Sequence, residues 1–246
     1  LPSETHFARP FASMATDLSG LAVPAPSVIP LLQIAQWLIA LILLTGLTTA
    51  AQSSANNPTP SANTQEATIL IFGDSLSAAY GLARHQGWVS LLQQRLKASN
   101  LNYKVENRSL SGETTFGGLE RLPRALAQVK PKLVVLQLGA NDGLRGLDLR
   151  TTRSNLKTMI EMSQAAKAQV VVVGVRLPPN LGDTYLKEFD AIVPSLAKEL
   201  QVRAVPAMLK GFAANLSYFQ DDQIHPNAKA QPVILETLWK TMSPLL

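Results

Sequence analysis

Three runs of apolar, largely β-branched residues stop abruptly at a glycine. They are Thr68-Ile69-Leu70-Ile71-Phe72 before Gly73, Leu133-Val134-Val135-Leu136-Gln137-Leu138 before Gly139, and Val170-Val171-Val172-Val173 before Gly174. A strand with one wet face alternates apolar and polar residues. A continuous apolar run instead marks a strand covered on both faces, as in a parallel sheet. Residues 103–106 and 202–205 are weaker runs of the same kind. Between the runs, apolar residues recur at helical spacing, as in Trp88, Leu91, Leu92 and Leu96, or Phe189, Ile192, Val193, Leu196 and Leu200. Similar patterns surround Leu122, Met159 and Leu238. In the first of these three, Pro123 must kink the helix or open it, because proline has no N–H to give. Five strands alternating with helices predict an α/β fold, a three-layer α/β/α sandwich around a five-stranded parallel sheet.

That pattern covers residues 67–246 of a 246-residue chain. The N-terminal part is of another kind. Residues 18–65 contain no Asp, Glu, Lys, Arg or His. Within them, residues 31–47 form an apolar stretch with a continuous centre from Trp37 to Leu44, followed by the small residues Thr48-Thr49-Ala50-Ala51. An apolar core of this length suits an export signal better than a membrane span, which needs about 20 residues. Residues 1–51 are therefore expected to be an N-terminal extension with a signal peptide, cut after Ala50 or Ala51; an uncleaved anchor is the alternative. Residues 52–66, rich in Ser, Asn, Thr, Pro and Ala, read as a flexible linker. The catalytic domain would then be 67–246, and the location periplasmic or secreted.

Composition removes several chemistries. The chain has no cysteine, so disulfides, thiolate metal sites and a cysteine nucleophile are excluded. Its three histidines, His6, His85 and His225, are too few for a histidine-rich metal cluster. The first 66 residues hold one basic and three acidic side chains, so of the chain's 22 and 17 the remainder holds 21 and 14, a net +7. No Lys/Arg run accompanies this surplus, and nucleic acid is not an expected partner. Contact with an anionic lipid surface is one use such a charge could have; a solvated surface is the ordinary one.

In parallel sheets the working residues sit on loops at the carboxyl ends of strands. Four polar segments occupy such places. They are Gly73-Asp74-Ser75-Leu76-Ser77, Asn107 to Thr114 with Gly112, Gly139-Ala140-Asn141-Asp142-Gly143, and Asp221-Asp222-Gln223-Ile224-His225-Pro226 ahead of the last helix. Acyl transfer needs this inventory. A serine is a poor nucleophile until an imidazole takes its proton, and a carboxylate must fix the imidazole's tautomer. Ser75, His225 and Asp222 are the candidates. Asp222 stands three residues before His225, within reach of it on one loop. The tetrahedral oxyanion needs pre-aimed donors. The backbone N–H groups of Ser75 and Gly112 and the amide of Asn141 can supply them. Asp74 and Asp142 read as turn braces, Asp221 and Glu113 as exposed loop residues, and His85 as a surface residue.

With Ser75, Gly112, Asn141 and His225 in order, the chain resembles the GDSL or SGNH hydrolases from about Thr68 to the C-terminus. GDSLSAAY at 73–80, NDGLRG at 141–146, RLPPN at 176–180 and IHPN at 224–227 support the likeness. The resemblance implies a flavodoxin-like sheet of strand order 2-1-3-4-5. It implies a monomeric serine esterase or thioesterase without cofactor or metal, acting on aryl esters, lysophospholipids and acyl-CoA thioesters. It also implies an acyl-chain groove near Gly143, Leu144, Arg145, Leu177 and Pro178, although Pro179 gives that loop its own character. Within the same family a carbohydrate O-deacetylase is the alternative. A flavodoxin-like phosphate binder is disfavoured, because Asp74 would repel the phosphate.

Overall fold

The computed structural model describes residues 66–246. The expected export signal, and the linker up to residue 65, lie outside the described residues. Five strands form one sheet: β1 (Ala67–Gly73), β2 (Tyr103–Asn107), β3 (Leu133–Gln137), β4 (Gln169–Val173) and β5 (Arg203–Val205). Their order is β2-β1-β3-β4-β5, and all neighbouring pairs are parallel. The three glycine-terminated runs are the three central strands. Ile69 to Phe72, Val134 to Leu136 and Val171 to Val172 have no exposed surface. Burial on both faces is why these segments do not alternate.

Helices cover both sides of the sheet. They are α1 (Ser75–Ala78), α2 (Trp88–Ala98), α3 (Thr115–Val129), α4 (Ala140–Leu144), α5 (Leu149–Ala165), α6 (Asp183–Leu200) and α7 (Gln231–Met242). The long helices α2 and α7 pack on each other, and α3, α5 and α6 pack in a row. Leu92, Leu96, Leu122, Met159, Ile160, Leu196, Ile234 and Leu238 supply the buried stripes. Pro123 does not open α3, which begins eight residues earlier. Thr114 caps that start, accepting weakly from the Gly117 N–H at 3.5 Å, and Asp142 accepts from the Thr115 N–H at 2.9 Å. Both Pro123 and Pro194 of α6 face solvent. There the carbonyl left without an N–H partner can be met by water.

The parallel register brings the ends of β1, β2 and β3 to one edge, with Ile71 opposite Asn107 and Gly73 opposite Gln137. Three of the four segments singled out for chemistry begin at or near that edge, and the fourth, Asp221 to Pro226, reaches it through His225. No helix among the described residues is long and apolar enough to cross a membrane.

Candidate active site

Ser75 is the first residue of α1, directly after β1. Asp74 caps the helix, its Oδ1 accepting from the Leu76 N–H at 3.0 Å. As the first helical residue, Ser75 has an N–H with no acceptor inside the helix. On the other side of the hydroxyl stands His225, with Nε2 2.9 Å from Ser75 Oγ. Its Nδ1 lies 2.7 Å from Asp222 Oδ2. The second carboxylate oxygen of Asp222 accepts from the backbone N–H groups of Ile224 and His225, each at 2.9 Å. Partial desolvation pushes the Asp222 pKa upward. The His225 N–H, the imidazole and the Ile224 N–H outweigh it and bring it from 3.8 down to about 2. Asp222 is thus a carboxylate at any working pH and can only accept. The proton must sit on Nδ1, leaving the Nε2 lone pair to face Ser75.

Asn141 opens towards the same site from α4. One amide hydrogen goes to the Glu113 carbonyl at 2.9 Å, which leaves the other available. That bond ties the loop after β3 to the loop that carries Gly112. Gly112 has φ +77°, a conformation suited to glycine, and its carbonyl accepts from Arg145 Nη2 at 3.1 Å. Asp142 strengthens the same junction. Its buried carboxylate accepts from both the N–H and the hydroxyl of Thr115, and Asn155 donates to that hydroxyl at 3.1 Å. So Asp142 braces the start of a neighbouring helix, where a brace for its own turn was expected.

A cavity of about 650 Å³ opens beside Ser75, His225 and Asn141. Leu144, Leu177 and Pro178 border it, as does Pro179, the first residue of a short 3-10 turn (Pro179–Leu181). Gly143 and Arg145 do not. Gly143 is buried behind the wall, where a Cβ would come within 2.6 Å of Leu177 Cδ1, and Arg145 is spent on the Gly112 carbonyl. Leu209, Ala213 and Phe219 also line the wall. The sequence reading missed them, although Leu209 and Ala213 lie soon after β5, where the carboxyl-end rule pointed. Glu113 also departs from expectation: its side chain is 11% exposed and paired with Arg121. Arg121 in turn lies over the Phe72 ring, which holds the pair inward. Asp221 and His85 are exposed, as expected.

A model of the GDSL-like lipase/acylhydrolase family matches residues 71–231. The chain belongs to that family. Among its relatives in it, esterase TesA of Pseudomonas aeruginosa is 45% identical over 179 residues, which is 73% of this chain and 89% of the relative. Thioesterase 1/protease 1/lysophospholipase L1 of Escherichia coli strain K12 is 40% identical, covering 73% of this chain and 85% of that protein. A crystal structure of TesA superposes with a TM-score of 0.71 at 45% identity, over 73% of this chain and 99% of the other.

Asp74, the acid of the GDSL motif, is 1% exposed. Desolvation raises its pKa from 3.8 to about 6, against the opposing pull of the Leu76 N–H, the Gln137 side chain and His225; Asp142 adds to the rise. Between these two values the folded chain holds this proton more tightly than the unfolded chain. The stability it contributes is full below the unfolded value and is lost as pH rises through about 6. Asp74→Asn removes the titration. Melting the parent and this variant at pH 4 and pH 7 is expected to show the variant gaining on the parent at the higher pH. A difference that does not change with pH would count against Asp74 as the buried titrating group.

Proposed function

We propose that the protein is a serine acylhydrolase that cleaves carboxylic esters and thioesters through an acyl-enzyme on Ser75. The observation that carries this reading is the unbroken chain from Asp222 through His225 to Ser75 Oγ at the mouth of an apolar cavity. His225 Nε2 takes the Ser75 proton as Oγ bonds to the substrate carbonyl carbon. Asp222 holds the imidazolium so formed. The carbonyl oxygen becomes an oxyanion facing the N–H groups of Ser75 and Gly112 and the free amide hydrogen of Asn141. Each such donor contributes about 10²–10³ in turnover. Collapse of the intermediate breaks the bond to the alcohol or thiol, which leaves with the Nε2 proton. Water then attacks the acyl-enzyme, giving its proton to His225, and the acid departs as Ser75 is restored.

The cavity wall of Leu144, Leu177, Leu209 and Phe219 favours an acyl chain over the hydroxyls of a sugar. This supports aryl esters, lysophospholipids and acyl-CoA thioesters as substrates, ahead of O-acetylated carbohydrate. The charge-free N-terminal stretch with its apolar centre supports export to the periplasm or beyond. We take the enzyme to act as a monomer, with any lipid contact made through its cationic surface.

The full chain tested on p-nitrophenyl esters, lysophospholipid, acyl-CoA and acetylated sugar decides between these classes. Rates on p-nitrophenyl esters are expected to rise from acetyl to medium chains as more of the apolar wall is filled. Activity confined to acetylated sugars would overturn the proposal.

A further inference from the structure

Ser75 and His225 stand 150 positions apart in the chain. Their side chains must nevertheless keep hydrogen-bonding distance through every turnover. Asp222, Asn227 and Gln231 tie the His225 stretch to itself and to α7. Gln220 ties it to the turn that carries the serine. Its backbone N–H donates to the His225 carbonyl at 2.8 Å. Its side-chain Nε2 donates to the Tyr80 carbonyl at 2.8 Å and to the Pro226 carbonyl at 3.2 Å. Tyr80 is itself bound to the nucleophile's residue, its N–H donating to the Ser75 carbonyl at 3.3 Å. The contacts therefore close a ring: Ser75 to Tyr80, Tyr80 to Gln220, Gln220 to His225, and His225 Nε2 back to Ser75 Oγ.

Two further features fit this ring. Gly81 has φ +71°, and a Cβ there would fall 2.0 Å from Gln220 Oε1, so the glycine makes room for the amide. The Tyr80 ring lies against the imidazole, with centroids 4.4 Å apart and planes tilted by 38°. The turn after α1 thus meets His225 twice, once through Gln220 and once through an aromatic face.

We infer that Gln220 is a positioning residue that holds the His225 imidazole over Ser75 Oγ by bonding the histidine's loop to the nucleophile's turn. The inference rests on Ser75 and His225 being the catalytic pair. Gln220 touches neither substrate nor reacting atoms; it acts through the imidazole. Proton transfer is steeply sensitive to placement, and a shift of about 1 Å can cost about 100-fold.

The test compares the parent, Gln220→Ala and Gln220→Glu in the full chain, each also in a His225→Ala background, with a p-nitrophenyl ester as substrate. Gln220→Glu keeps the bulk beside Gly81 but loses the two Nε2 donations, so it serves if the alanine variant does not fold. Both substitutions are expected to lower kcat by about 10- to 100-fold, the scale of a misplaced group, with KM within about twofold. In the His225→Ala background the same substitutions should leave the residual rate unchanged, because the group they position is gone. A folded Gln220→Glu protein with the parent's kcat would overturn the inference. So would an equal loss in the His225→Ala background, which would mark Gln220 as a general support of the fold. A Ser75→Ala control separates the two levels. If that variant stays as active as the parent, the catalytic pair itself is wrong; if it is inactive, the Gln220 variants alone decide the clamp.

Discussion

Replacing Ser75 with alanine is expected to lower kcat for p-nitrophenyl esters on the order of 10⁶-fold, the loss seen when a triad nucleophile is removed. The expectation follows from how little else is present to take over. Ser77, on the same turn, is buried, and its hydroxyl is given to Gln137 Oε1 at 2.7 Å. The chain has no cysteine. What remains is water beside His225 and the proposed oxyanion donors, enough for a slow residual reaction. KM should change little, because the apolar cavity wall proposed to receive the acyl chain is untouched. Stability should change little too, since Ser75 Oγ has one side-chain partner, the His225 imidazole. A rapid-mixing assay gives the sharpest reading: the parent should release a burst of p-nitrophenol matching the enzyme concentration, and the variant none. A variant within tenfold of the parent, or one that still shows the burst, would remove Ser75 from the mechanism.

The parts of the fold that could be read from the chain are those where burial leaves a local trace. Ile69 to Phe72 and Val134 to Leu136 announce strands because both faces of the sheet are covered. Residues 203–205 are a weaker signal, since β5 is a short edge strand with Arg203 exposed. The start of α3 was harder. The apolar spacing begins at Leu119, but the helix begins at Thr115, because its first N–H is taken by Asp142 27 residues away. No local pattern records a partner so distant. α1 and α4 are single turns, too short for any periodicity to show.

The same division runs through the site. Ser75, Asn141 and the Asp222/His225 pair stand out because each lies on a short polar segment after an apolar run or ahead of a helix. Asp222 and His225 are also close in sequence, so their contact needs one loop only. Arg145 belongs to the groove only by what the family resemblance implies, with bracing of a loop as the other reading. Its guanidinium turns to the Gly112 carbonyl and braces that loop, a choice made 33 residues earlier in the chain. Leu209 and Phe219 look like any apolar loop residues until β5 brings their segment to the cavity. Gln220 is one polar residue among several. Its value depends on Tyr80, 140 positions upstream, and on the adjoining Gly81, which only folding brings near.

Asp222→Asn should lower kcat on the order of 10⁴-fold while leaving the loop in place. The two oxygens of Asp222 do different work. Oδ1 accepts from the Ile224 and His225 N–H groups, and Oδ2 faces His225 Nδ1. Asparagine can keep its carbonyl oxygen on the two backbone N–H groups, so the turn survives. Its NH₂ group then faces Nδ1 and can only donate. The imidazole must accept at Nδ1 and carry its proton on Nε2, the nitrogen that receives the Ser75 proton in the proposed mechanism. The geometry is kept and the proton is on the wrong side. Asp222→Ala should do as much damage to kcat but also free the two backbone N–H groups and loosen the loop. The contrast is readable: the two variants should show similar kcat, with the alanine protein melting at a lower temperature. Near-parental turnover by Asp222→Asn would mean that His225 finds its tautomer without this carboxylate, and the relay would reduce to Ser75 and His225 alone.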